Sequence, residues 1–269
     1  MLKRVISLLF LTFKEGVRDR ALFGIGLFSL LLMGASLIVV SLFMRELHKV
    51  AVDINLSAIT FAGLMLTFFV SINLMAKDMD KQTIYCVLSK PISRSEYILG
   101  KFLGIMLLII SAFAILTLFS SLTIFIIKSQ YGLWFKSFAW AGFYKAVYSE
   151  LLMFAVLNAI VIFFSTITTS SFITLLFSIS AYVTGQTIEE VVLYLKTQPD
   201  IILTESIKAI INVCQYMLPN LSAFDLKIKA AHALPISWSY LIGITGYSII
   251  YSSILLILSS IIFSKRELV

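Results

Sequence analysis

Two cysteines, two histidines and four prolines are spread over 269 residues. Cys86 and Cys214 are too few for a disulfide framework, and the topology read below puts them on opposite sides of a membrane. Neither His48 nor His232 has a cysteine or carboxylate at metal-ligand spacing, so both read as loop histidines in water and no metal centre is expected. The sequence has no G-x-x-x-x-G-K-[ST] loop to cradle phosphates and no G-x-S-x-G elbow to present a serine nucleophile. The paired carboxylates Glu189-Glu190 lack an arginine four positions on, where Tyr194 stands. The chain is therefore expected not to be an enzyme and to bind no cofactor itself. Charge is scarce too, at 13% of residues, and the +7 balance lies beside apolar runs rather than in a basic-aromatic groove. Nucleic acid is not an expected partner.

What the chain has in abundance is apolar surface: 60% hydrophobic residues and a mean hydropathy of +1.01. A water-soluble domain of this size has no use for so much. The reading is an all-α polytopic membrane protein, one domain over 1–269, in contact with the lipid bilayer. Six spans are expected near 21–43, 56–76, 98–127, 146–167, 172–185 and 238–263. The stretch 45–55 reads as a polar loop, 128–148 as an aromatic interfacial helix, and 165–171 as a tight turn. The fifth span is short. After it, 186–237 reads as an external segment of amphipathic helices, one over 201–218 that lies on the outer surface or is partly re-entrant, and a short one capped by Ser222 with Asp225 three residues on.

At the N-terminus, 1–20 reads as an amphipathic helix. Leu2, Ile6, Leu9, Phe13 and Val17 share one face, and Lys3, Arg4, Ser7, Lys14 and Arg18 the other. Such a helix lies on an anionic leaflet. Between the second and third spans runs a polar loop, 77–97, whose basic residues continue to Lys101. Ile84, Val87 and Leu88 fall on one helical face within it. Pro91 ends that helix, lacking an N–H and restricting Lys90. Ser93 and Glu96 then form an S-x-x-E capping box that starts the next helix.

Basic residues are denser in the segments that fall inside when both termini are cytoplasmic, which places the chain in the cytoplasmic membrane with that orientation. Within the spans, Glu150 and Asn158 are polar. Glu150 reads either as a carboxylate at the positive end of its helix or as a pathway residue touching substrate, and Asn158 joins it as a pathway candidate. No ionisable midplane residue or broken helix points to a secondary transporter.

Several stretches resemble the permease subunits of type V ABC exporters: Lys14-Glu15 with Arg18-Asp19-Arg20, Gln82-Thr83-Ile84, Leu88 to Arg94, Glu96-Tyr97, Leu99-Gly100-Lys101, and the closing Phe263 to Glu267. The likeness covers nearly the whole chain, although Lys81-Gln82 replaces the usual acidic-to-glycine approach. It implies that two permeases pair, a second copy or a similar chain, and that two separate ABC ATPase subunits dock below them, carrying ATP and Mg. It implies ATPase-docking roles for Lys77, Lys81, Thr83, Ile84, Leu88, Lys90, Pro91, Arg94 and Glu96, and an interfacial-helix role for Lys14, Glu15 and Arg18. The external helices would act as a gate. The expected function is the transmembrane subunit of an ATP-driven exporter. The alternative is a membrane scaffold or assembly subunit without transport.

Overall fold

The computed structural model describes residues 2–42, 46–75, 92–135, 138–168, 170–197 and 219–265. Among them the chain is all helical: α1 (Leu2–Val17), α2 (Arg20–Leu42), α3 (Leu47–Met75), α4 (Arg94–Gln130), α5 (Trp140–Ile167), α6 (Ser171–Thr197), α7 (Lys227–Ala231) and α8 (Trp238–Lys265). Six of these, α2 to α6 and α8, are long and apolar enough to cross a bilayer. Their outward faces confirm the solvent they are built for. Leu27, Leu31 and Ile38 of α2, Leu118 and Leu122 of α4, Phe172 and Leu176 of α6, and Ile249, Ile250 and Ile257 of α8 are all exposed. In water such continuous apolar faces would aggregate. In lipid they are the matching surface, and the helix satisfies the backbone internally.

The buried centre is made by α3 and α5, with α8 packed most extensively against α5 and α2 against α3. Phe154 of α5 is fully buried, rings with Phe113 of α4 at 5.5 Å, and lies where a side chain at Gly63 of α3 would have to go. Midway, α3 contains a π-helical turn at Leu66–Ser71, surrounded by α2, α4, α5 and α6.

Five expectations need correction. The stretch 45–55 is not a loop, because α3 begins at Leu47. Its residues divide by face: Asp53 is exposed, while Leu47, Ala51, Val52 and the polar Asn55 are buried, and α7 packs along α3. Lys49 closes an ion pair on Glu46 at 2.6 Å in the first turn, which holds the exposed Glu46 carboxyl below its ordinary range. His48 is accordingly not in water but buried, its ring 6.2 Å from that of Phe135.

The fifth span does not stop near Gly185, since α6 continues to Thr197. Gly185 is a close-approach residue, not a terminator. The Leu221 N–H donates to its carbonyl at 2.9 Å, and a Cβ there would lie 2.7 Å from the Pro219 carbonyl oxygen. One turn on, Glu189 accepts from Asn220 Nδ2 at 2.8 Å and Ser222 Oγ at 2.7 Å. Ser222 is thus spent on Glu189 and caps nothing, and Asp225 accepts the Lys227 N–H at the start of α7 instead. Finally, the aromatic stretch holds a 3-10 turn at Gly132–Phe135, and the fourth span already begins within it, at Trp140. The amphipathic segment 201–218 lies outside the described residues.

Candidate functional site

The end of α3, the start of α4, the end of α8 and the whole of α1 meet at one end of the bundle, here called the base. Chain segment 76–91 leaves from and returns to it. Lys77, Lys81, Thr83, Ile84, Leu88, Lys90 and Pro91 belong to that segment and lie outside the described residues, whereas both of its flanks are described.

The returning flank is the capping box. The Ser93 hydroxyl accepts the Glu96 N–H at 3.2 Å, and the Glu96 carboxylate accepts the Ser93 N–H at 2.8 Å, so two otherwise unpaired backbone donors are satisfied reciprocally. Arg4 of α1 approaches the same carboxylate at 3.9 Å. Arg94 reaches the opposite way. Its guanidinium donates to the Phe263 carbonyl and, at 3.4 Å, to that of Ser264, and it lies 5.4 Å from the Phe263 ring centroid. Those carbonyls end α8, where the helix dipole is negative and a cation is favoured. Ser95 and Ser260 share a hydroxyl bond of 2.5 Å, and the buried rings of Tyr97 and Phe263 stack at 5.9 Å. The first turn of α4 is thereby tied to the last turn of α8.

The departing flank is held by Lys101, which is only 4% exposed. Its ammonium donates to the Leu74 carbonyl at 2.7 Å, pairs with Glu15 of α1 at 3.5 Å, and lies 5.9 Å from the Tyr97 ring centroid. Beside it, Asn73 Nδ2 donates to Asp19 at 2.6 Å. The end of α3 is therefore fastened to α1 and α4 together.

α1 completes the arrangement. Its buried residues are Leu8, Thr12 and Gly16, one ridge at i, i+4, i+8. These meet Gly100, Gly104 and Leu108 of α4 in the same order, so the two helices run side by side in one direction. Gly100 and Gly104 form a small-xxx-small groove that lets the backbones approach. Leu2, Ile6 and Val17 stay exposed for lipid, as do Lys14 and Arg18 for headgroups or partners. The helix read as lying on the leaflet is also docked along α4.

Of the residues named from sequence, the structure brings Glu15, Arg94 and Glu96 into this cluster. It also shows residues the sequence reading did not assign there: Arg4, Asp19, Asn73, Tyr97, Lys101, Ser260 and Phe263. The spacing Gly100-x-x-x-Gly104 was the one signal that could have pointed to the α1 groove.

Glu150 and Asn158 lie elsewhere, and they do not meet. Glu150 is nearly three turns into α5 and not at its start, so the helix-end reading fails on depth. It is 1% exposed, and its Oε1 accepts from the Thr60 hydroxyl of α3 at 2.7 Å. Asn158 is fully buried and turns to the Phe102 carbonyl of α4 at 3.4 Å. The Thr60 bond makes a specific expectation. Thr60→Val should destabilise the protein by about 1–3 kcal/mol, the cost of stranding a buried polar partner. Thr60→Val combined with Glu150→Met should be less destabilised than the sum of the two single variants, measured by thermal unfolding in detergent. Strict additivity would show that the two side chains do not interact.

Among the described residues no group of three or more histidines, cysteines or carboxylates is placed to hold a metal. A search of curated proteins finds no match. The family model described as ABC-2 family transporter protein matches residues 8–268. The chain belongs to the ABC-2 transporter family. The match covers every described span, the segment 76–91 and the base from Leu8 onward, and it bears out the resemblance to ABC permeases read from the sequence. As an ABC-2 family member the chain is a membrane component of an ABC transporter, consistent with the six apolar helices.

Proposed function

We propose that this chain is the membrane-spanning subunit of an ATP-driven exporter in the cytoplasmic membrane, with both termini and the base on the cytoplasmic side. A second copy or a similar permease pairs with it. Separate ABC ATPase subunits, which carry ATP and Mg, dock on segment 76–91 and α1. The observation that supports this most directly is the way the base is built. Both flanks of the docking segment are fixed by short polar bonds to three different elements, α1, α4 and α8. A push on the segment is then delivered to the third and sixth spans at once, rather than absorbed in a slack loop. Family membership supports the ATPase partner in general terms.

The docking role has a direct test. Charge reversal of Lys81 and Arg94 should lower the amount of ATPase subunit that co-purifies by about tenfold, since losing roughly 1.4 kcal/mol of binding has that effect. Membrane insertion should be unchanged. Undiminished co-purification would remove the segment from the interface and leave the scaffold reading in its place.

A further inference from the structure

At the end of the bundle opposite the base, a cleft of about 350 Å3 opens between the start of α5 and the start of α8. It is lined by Ala141, Tyr144, Lys145, Tyr148, Trp238 and Leu241. Three features of it call for a ligand of a particular kind.

The first is an uncompensated cation. The half-buried Lys145 ammonium donates to the Ile236 carbonyl at 2.6 Å and sits 4.5 Å from the Trp238 ring centroid. At this end Lys49 and Lys227 are neutralised by carboxylates, Glu46 at 2.6 Å and Asp225 at 3.3 Å, and Lys128 and Lys229 lie over the rings of Phe138 and Tyr240, but of these lysines only Lys145 lines the cleft. Among the described residues no carboxylate pairs with Lys145. An ammonium carries three donors, and one carbonyl and one ring face do not use them all.

The second feature is the aromatic wall. Tyr144, Tyr148 and Trp238 are exposed rings lining the cleft. The polar edges of the tyrosines are already engaged, Tyr144 with Ser121 at 3.2 Å and Tyr148 with Thr245 at 3.0 Å. What remains for a ligand is their apolar faces. Rings of this type gather at headgroup level.

The third is continuity with the lipid face. Ile242, Ile249 and Ile250 of α8, all exposed, carry apolar surface from the cleft mouth along the span. The occupant must combine a negative headgroup with an apolar tail.

We propose that this cleft binds an anionic phospholipid of the surrounding leaflet, its phosphate on Lys145 and its glycerol and upper acyl carbons against Tyr144, Tyr148 and Trp238. A free phosphate would leave the aromatic wall uncovered. A twofold contact centred here would oppose Lys145 to its own copy, two like charges. A bound lipid satisfies both the cation and the rings, and it pins the starts of the fourth and sixth spans together at the headgroup level.

Native mass spectrometry of the purified full chain, titrated with phosphatidylglycerol and phosphatidylcholine of the same acyl chains, tests this. The wild type should retain phosphatidylglycerol about tenfold more tightly, because its phosphate meets Lys145 as a net negative charge whereas the choline cation offsets the same phosphate in phosphatidylcholine. Lys145→Gln should lose that preference and Lys145→Arg should keep it. A wild type that retains both lipids equally would overturn the proposal, as would a Lys145→Gln variant with undiminished preference. Displacement of the lipid by inorganic phosphate alone would do the same. Should Lys145→Gln not fold, the Trp134→Phe, Trp140→Phe chain leaves Trp238 as the single indole. Its fluorescence in vesicles should be quenched more by brominated phosphatidylglycerol than by brominated phosphatidylcholine at equal mole fraction. Equal quenching would refute the site.

Discussion

Gly104→Ala is expected to unseat α1 from α4 and to lower stability by about 1–3 kcal/mol, the usual cost of overpacking a filled interface. The added Cβ would lie 2.6 Å from Thr12 Cβ and 2.8 Å from the Leu9 carbonyl oxygen. The second contact is backbone, so no side-chain rotation relieves it. α1 must move as a body, and with it Glu15 from Lys101 and Arg4 from Glu96. Gly16→Ala makes the control. There the nearest atom is Leu108 Cδ1, the far end of a flexible side chain, so the smaller disturbance should be absorbed locally. The check is thermal unfolding of both variants in detergent, together with a disulfide cross-link engineered between α1 and α4. Gly104→Ala should unfold at the lower temperature and cross-link less efficiently. If the two glycines tolerate alanine equally well, the close approach of α1 is not what holds the base together.

That contrast also shows what a membrane sequence discloses and what it conceals. The number of spans was legible because a charge in the hydrocarbon core is costly and twenty apolar residues in a row are not accidental. The capping box at Ser93 and Glu96 was legible because it depends on local spacing alone, and the geometry bears it out. The packing faces were not. Helices α4, α5 and α8 are apolar all round, since lipid is as apolar as a protein interior, so period 3.6 carries no mark of which side meets protein. α1 shows the consequence. Of its apolar face, Leu2, Ile6 and Val17 are left outside and Leu9 and Phe13 are half-buried, while the residues most deeply set against protein are the inconspicuous Leu8, Thr12 and Gly16. Polar residues misled in the same way. His48 and Asn55 suggested a loop before the second span, and Gly185 suggested an end to the fifth. Each sits instead inside a helix where a tertiary neighbour, Phe135, Ser36 or the returning chain at Leu221, accounts for it. Depth was also hidden. Where α5 starts decides whether Glu150 is a helix-end carboxylate or a buried one, and only the structure places that start at Trp140.

Lys101→Met should be the most damaging single change to coupling at the base. The ammonium is nearly sealed from solvent, and among the described residues it serves two oxygen groups that a thioether cannot: the Leu74 carbonyl of α3 and the Glu15 carboxylate of α1. Removing the cation takes a charged donor from the Leu74 carbonyl and the ion-pair partner from Glu15, at a cost of about 1.5–3 kcal/mol for the charged hydrogen bond. Methionine fills much of the same volume, so packing between α4 and the rest is kept and the loss is electrostatic. Lys101→Arg is not a rescue, because a planar fork does not fit a point-charge site of this confinement. The consequence for function follows from the position. Leu74 lies immediately before segment 76–91, so freeing it loosens that segment on its departing side while Arg94 and the capping box still hold the returning side. In the proposed complex with an ATPase subunit, the variant should still capture the partner, because the proposed docking residues are untouched. It should, however, alter the permease-dependent rate of ATP hydrolysis about tenfold, which is the effect of roughly 1.4 kcal/mol on a barrier. Capture and rate measured on the same preparation separate the two roles. If Lys101→Met loses the ATPase altogether, this residue belongs to the docking surface; if it keeps both the ATPase and its rate, the departing flank carries no force.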